Sequence, residues 1–195
     1  MSKKIKSRWL IVLFPFTLCL LCIGFDLLLF KSKVGSHPIN HIDSLLLTVS
    51  DFPPQWTIYY DARPITGDFD WGEENIRIGF VLGSGFGYSR QYVYRFSNVL
   101  EARYAYFFLR KDLPVITKES PINFLTYKSA LANEWYMRCT RASTGGVACD
   151  VLGRYEDYIV YFSIATKEKN QLAPEQLERL LRSIDDRMAA HLSKK

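Results

Sequence analysis

The chain has 195 residues and a formal net charge of +5, with 48% of residues hydrophobic. That length fits one domain of ordinary size, and the apolar fraction excludes a wholly disordered chain. Four cysteines are too few for a disulfide-framework miniprotein. The charge is unevenly placed. Lys3, Lys4, Lys6 and Arg8 precede the first apolar run, and from Lys31 onward 21 basic residues face 19 acidic ones. A nearly neutral body carries no electrostatic footprint for a phosphate backbone, so no nucleic-acid partner is expected.

Residues 9–30 read WLIVLFPFTLCLLCIGFDLLLF, with Asp26 as the one charge. At about 1.5 Å per residue such a run crosses a hydrocarbon core of roughly 30 Å. The basic flank, residues 1–8, places the N-terminus in the cytoplasm and the C-terminal body outside it. A cleaved signal peptide competes with this reading, but its apolar region is shorter and ends in a small-x-small site that is missing here. A lipoprotein would use Cys19 or Cys22, and each is preceded by leucine rather than a small residue. The lipid bilayer is thus the expected partner of residues 9–30, the chain a single-pass protein of the cell membrane. Asp26 lies about 25 Å along the helix from Trp9, near the outer boundary, where charge costs less.

Residues 31–38 form a short linker and residues 39–195 an extracytoplasmic domain, large enough to bury about 70% of its unfolded surface. Ile39–Leu47 reads as a short amphipathic helix, stopped by Asp51-Phe52-Pro53-Pro54. Residues 56–62, the alternating stretch around Ile76, Ile78, Phe80 and Leu82, and residues 88–96 read as strands. Gly83-Ser84-Gly85-Phe86-Gly87 is expected to be a hairpin loop, since it lacks the helix and lysine of a phosphate loop. Asn98 with Glu101 opens a helix that is expected to end before Pro114. Residues 134–140, 148–155 and 158–165 read as strands, the last central. Pro174 starts a final helix with a buried stripe of Leu177, Leu180, Leu181, Ile184 and Met188. The fold class is α+β: one N-terminal transmembrane helix, then a mostly antiparallel sheet packed with helices as an α-β-α sandwich.

Cys139 and Cys149 flank Thr144-Gly145-Gly146, a turn signal between two strands. An exported compartment permits oxidation, so a disulfide is expected, worth up to about 3 kcal/mol for so short a loop. Catalytic signals are sparse. The three histidines are His37, His41 and His191. The first two, with Asp43, have metal-ligand spacing, but Pro38 lies between them and a solvated linker is the simpler reading. Asp68, Asp70, Glu73 and Glu74 cluster without EF-hand spacing and read as a solvated turn. No nucleophile elbow or zincin helix is present. No catalytic residue, metal or cofactor is assigned.

Aromatic residues are the body's distinguishing feature: 24 lie between residue 31 and the C-terminus. Trp56, Tyr60, Tyr92, Tyr94 and Trp135 are the candidates for a groove that binds a small ligand or a membrane-protein partner. Packing between sheet and helices is the alternative use of the same rings. Arg90, Arg95, Arg103 and Arg138 are candidates to line the groove.

The element order carries a resemblance. An Asp51-Phe52-Pro53-Pro54-Gln55-Trp56 turn is followed by hairpin strands, a helix, a Cys pair, an Arg154–Val160 strand-turn-strand and a final helix. This resembles bacterial extracytoplasmic sensor-like domains with a PsbP-like α-β-α sandwich, over about residues 40–190. That pattern often has glycine where this chain has Gln55, and some relatives carry two disulfides where this body has cysteines for one. The resemblance implies a binding or sensor-like role without catalysis of its own. An accessory subunit docking on a larger membrane complex, and an exported hydrolase, are the alternatives.

Overall fold

A computed structural model describes residues 42–195 except 66–70, 84, 86, 117–121, 142–144, 171 and 195. The basic flank, the apolar run 9–30, the linker, His37, His41, Asp68 and Asp70 lie outside the described residues. Among the described residues no helix is long and apolar enough to cross a membrane.

Six strands form one antiparallel sheet: β1 (Trp56–Arg63), β2 (Glu74–Leu82), β3 (Gly87–Arg95), β4 (Glu134–Arg141), β5 (Val147–Tyr155) and β6 (Tyr158–Thr166), in the order β1-β2-β3-β6-β5-β4. Helix α1 (Val99–Ile116) joins β3 to β4, and α2 (Pro174–Leu192) ends the fold. β6 lies inside the sheet, as its uninterrupted apolar run requires. The β2–β3 turn is the expected hairpin, with Leu82 opposite Gly87, and Gly83 and Gly85 at φ 50° and 89°.

The two faces of the sheet bury different partners. On one face Ile78, Phe80, Val93, Val151, Phe162 and their neighbours meet the α2 stripe and the N-terminal residues Ile42, Leu45, Leu46, Leu47 and Phe52. Each of the five residues expected in the α2 stripe is buried. On the other face Tyr94, Leu152 and Ile159 meet Ala102, Ala105, Tyr106 and Leu113 of α1. The small side chains of Ala102 and Ala105 let the helix sit close to the strands. The result is three layers, helix on sheet on helix.

Two local expectations are corrected. The segment before Pro53 has no helix over Leu46 and Leu47. It makes one 3-10 turn, Ile42–Leu45, then runs extended to a second turn at Val49–Asp51. The sheet competes for this backbone: the Gln91 side chain accepts a hydrogen bond from Leu47 N–H at 2.7 Å and donates to Leu45 C=O at 3.1 Å. An amide so placed offers the pairing a neighbouring strand would. Helix α1 begins as expected, with Asn98 Oδ1 accepting from Glu101 N–H at 2.9 Å, but continues through Pro114 to Ile116. A proline's φ near −65° is itself helical, so the helix runs on through it at the cost of the hydrogen bond to residue 110.

Cys139 and Cys149 form the expected disulfide. They face each other across β4 and β5, with Cα atoms 4.1 Å apart. The Cys139 carbonyl points away from β5 and accepts from Ile122 N–H at 2.9 Å.

Candidate functional site

Side chains alternate along a strand, so the register fixes what shares a surface. On the α1 side, one rung reads Arg77, Tyr92, Tyr161, Leu152, Tyr136 across β2, β3, β6, β5 and β4. The next reads Gly79, Arg90, Ser163, Asp150, Arg138. Helix α1 covers the first rung at Leu152 and leaves the second partly open. The uncovered part of the face is thus paved with tyrosines and arginines.

Tyr60 completes the surface from β1. Its ring lies over Gly79, where an added Cβ would stand 2.4 Å from Tyr60 Cε1. Gly79 is therefore the residue that admits the ring. Arg63 and Arg77 place their guanidinium carbons 4.7 and 5.7 Å from the Tyr60 ring centre. The Arg90 guanidinium stands 5.7 Å from the Tyr92 ring and 5.8 Å from the Tyr161 ring. Such cation–π contacts help to hold an arginine in place, and Arg90 is also hydrogen-bonded with Tyr161. Arg77 Nε and Arg90 Nε are enclosed without a hydrogen-bond partner. Tyr161 donates to Asp150 Oδ1 at 2.7 Å.

The electrostatics follow. Burial alone lowers the Arg90 pKa, but the surrounding Tyr161 and Tyr92 outweigh it and the net shift is upward. Burial pushes the Tyr60 phenol up, helped by Tyr88, and pushes the Tyr161 phenol up, helped by Asp150. At neutral pH the surface therefore presents fixed guanidinium cations and neutral phenols. It can receive an anionic group and stack a planar one.

The five aromatic candidates divide between layers. Tyr60 and Tyr92 belong to this surface, and Tyr94 shares the face but is buried beneath α1. Trp56 and Trp135 lie on the opposite face, Trp56 against Phe52 with ring centres 5.0 Å apart. A groove floored by all five does not form. Trp56 and Tyr60 are four apart and regular alternation would align them. A register shift between Ile58 and Tyr60 inserts one residue and reverses the facing. Of the arginine candidates, Arg90 and Arg138 reach the surface. Arg95 instead faces Glu73 and Glu74 at 3.8 and 3.1 Å, and Arg103 faces Glu134 from α1 at 3.4 Å. His191 is engaged with the Tyr158 hydroxyl at 2.9 Å.

Trp135 borders a second concavity, an open groove of about 850 Å³ along the outer edge of β4, with Ile122, Leu125, Tyr127 and Met137. Its aromatic polar atoms are already used: Trp135 Nε1 donates to Tyr127 O at 3.2 Å, and the Tyr127 hydroxyl donates to Asp185 at 2.5 Å. The Tyr and Arg surface gathers guanidinium cations on one open face of the sheet and is the stronger candidate.

Arg77, Tyr161 and Asp150 are the surface residues that sequence reasoning missed. Gly79 was a usable signal, because a glycine inside an otherwise branched and aromatic strand marks close approach by another group.

No protein-family model and no curated protein matches the chain. Among solved structures, the extracellular domain of PknH from Mycobacterium tuberculosis superposes with a TM-score of 0.53 at 9% identity, covering 76% of this chain and 94% of that one. A chain from Bacteroides thetaiotaomicron aligns at a TM-score of 0.34 and 14% identity, over 67% of this chain and 41% of that one. The first similarity shows that this body shares its fold with an extracellular domain.

Proposed function

We propose that the protein is a non-catalytic, extracytoplasmic binding module, held at a membrane by residues 9–30, that takes an anion-bearing ligand on the sheet surface of Tyr60, Arg77, Arg90, Tyr92 and Tyr161. The observation that carries the ligand reading is the pair Arg77 and Arg90, two guanidinium cations held against tyrosine rings on one face of the sheet. A bidentate guanidinium contact to carboxylate or phosphate is the interaction such a donor set favours. The disulfide and the fold shared with an extracellular domain support the compartment. Fold alone does not assign a ligand; the side chains of the site do.

The test is saturation-transfer NMR on the full chain in nanodiscs, with phenyl phosphate and phenol as probes. Phenyl phosphate is expected to receive saturation and phenol not, with the signal lost in Arg90→Met. Equal signals from both probes, or a signal unchanged in Arg90→Met, would refute the anion site.

A further inference from the structure

We infer that the outer face of α1 docks on the head-group boundary of an anionic bilayer; this rests on the reading of residues 9–30 as a membrane anchor. The helix has two apolar faces. The inner one packs on the sheet. The outer one carries Leu100, Tyr104 and Phe107, which are 64%, 62% and 63% exposed. Phe108 joins them, its ring 4.6 Å from Tyr104 and 5.6 Å from Phe107. At about 100° per residue these four positions lie within an arc of about 100°. A helix on the outside of a three-layer fold ordinarily turns polar residues to water, so an apolar outer stripe marks a contact.

Two observations choose lipid as the occupant. The first is charge. Arg110 and Lys111 lie beside or within the stripe and are exposed, as is Arg103, which pairs with Glu134. The adjoining sheet surface adds Arg77 and Arg90 against one carboxylate, Asp150, which accepts from Tyr161. Aromatic side chains flanked by cations are the composition of a helix lying in the interface of an anionic membrane. The second is the chain itself. Eleven residues, 31–41, separate the apolar run from the body. They extend to at most about 40 Å at roughly 3.3–3.6 Å each. With layers spaced about 10 Å apart, the α1 face lies about 20 Å from the layer where the described chain begins, within that reach. A tether of this length holds the body at millimolar effective concentration near the bilayer, so a weak contact suffices.

The experiment uses the full chain carrying Cys19→Ser and Cys22→Ser, reconstituted in phosphatidylcholine vesicles with or without phosphatidylglycerol. An environment-sensitive NBD probe is placed at Phe107→Cys or, as a control on the opposite layer, at Ala190→Cys. Both positions are exposed, so neither substitution opens the core. The expected result is a blue-shifted emission at position 107, quenched by doxyl-labelled lipid, strengthened by phosphatidylglycerol and weakened by salt, with position 190 water-like throughout. Water-like emission at 107 in both vesicle types overturns the docking. A blue shift at 107 that doxyl lipid does not quench also overturns it, in favour of a protein partner or a second copy. Alkaline carbonate extraction separates the two readings. A chain retained but unquenched at 107 defeats the docking alone. A chain extracted by carbonate yet quenched at neutral pH defeats the anchor alone, and one extracted and unquenched defeats both.

Discussion

Replacing Gln91 by leucine is expected to loosen the N-terminal segment from the sheet. Gln91 sits in β3 between Ile78 and Phe162 and has no exposed surface. Its amide satisfies the backbone N–H of Leu47 and the backbone C=O of Leu45, two residues that are 0% and 1% exposed. Leucine has nearly the same volume but neither polar atom, so both backbone groups stay buried without a partner. Each costs about 1–3 kcal/mol. The added apolar burial returns roughly 1 kcal/mol, which leaves a net loss of roughly 1–5 kcal/mol. For a body of this size that lowers Tm by about 2–20 °C. Gln91→Glu tests the geometry of the same pair. Its carboxylate accepts from Leu47 but has no proton for Leu45, and burial disfavours the charged form, so the folded-state pKa rises above the unfolded value near 4.3. A raised pKa means full stability below the unfolded value and loss as pH rises through the folded one. The variant therefore melts near the parent in acid and well below it at neutral pH. Circular-dichroism melts of the full chain in detergent, taken across pH, measure both. A Gln91→Leu Tm within a degree of the parent, or a Gln91→Glu deficit that does not change with pH, would refute the bridging role.

Asp185→Ala removes the acceptor shared by the hydroxyls of Tyr127, Ser129 and Tyr155, at 2.5, 2.8 and 2.7 Å. A loss of about 2–4 kcal/mol is expected for a broken part-buried network, read as the urea midpoint, and an unchanged midpoint would contradict it. Asp51 is held below its ordinary pKa of 3.8. Burial opposes this, but the Thr48 backbone N–H, the Thr48 hydroxyl and Arg187 outweigh it. A depressed folded pKa contributes stability above about pH 4 that disappears as pH falls through the lower value, so Asp51→Asn flattens the acid limb of a stability–pH curve. Gln55→Gly relieves a φ of 79° and is expected to raise Tm by about 2–4 °C, since the left-handed conformation costs a non-glycine residue about 1 kcal/mol.

The layers of this fold were legible because they depend on periodicity. The stripe from Leu177 to Met188 and the β6 run state their burial in their spacing. The disulfide was legible because Gly145 and Gly146 mark the turn that opposes Cys139 and Cys149. Gln55 shows legibility of another kind. The resemblance places glycine there, and the structure supplies the reason: the residue adopts a left-handed conformation while its carbonyl accepts from Gly83 N–H at 3.2 Å. The Leu45–Leu47 segment was misread because its pairing partner is a side chain 44 residues away, which no local pattern records.

The candidate surface was legible only in kind. Aromatic abundance pointed to rings that meet something, but a ring count carries no facing. Facing in β1 turns on one inserted residue near Tyr59, and that shift separates Tyr60 from Trp56. Helix α1 presents the same difficulty in a helix. Its Tyr-Ala-Tyr-Phe-Phe-Leu stretch is apolar or aromatic nearly all round, which erases the one-sided stripe that made α2 easy to place. A helix with apolar residues on both its inner and outer faces is either enclosed by its own protein or engaged on two fronts. Because α1 is an outer layer with Leu100, Tyr104 and Phe107 exposed, the first option fails. The absence of a single stripe is thus what the proposed docking predicts of this helix: one apolar face on the sheet, through Ala102 and Ala105, and one turned outward.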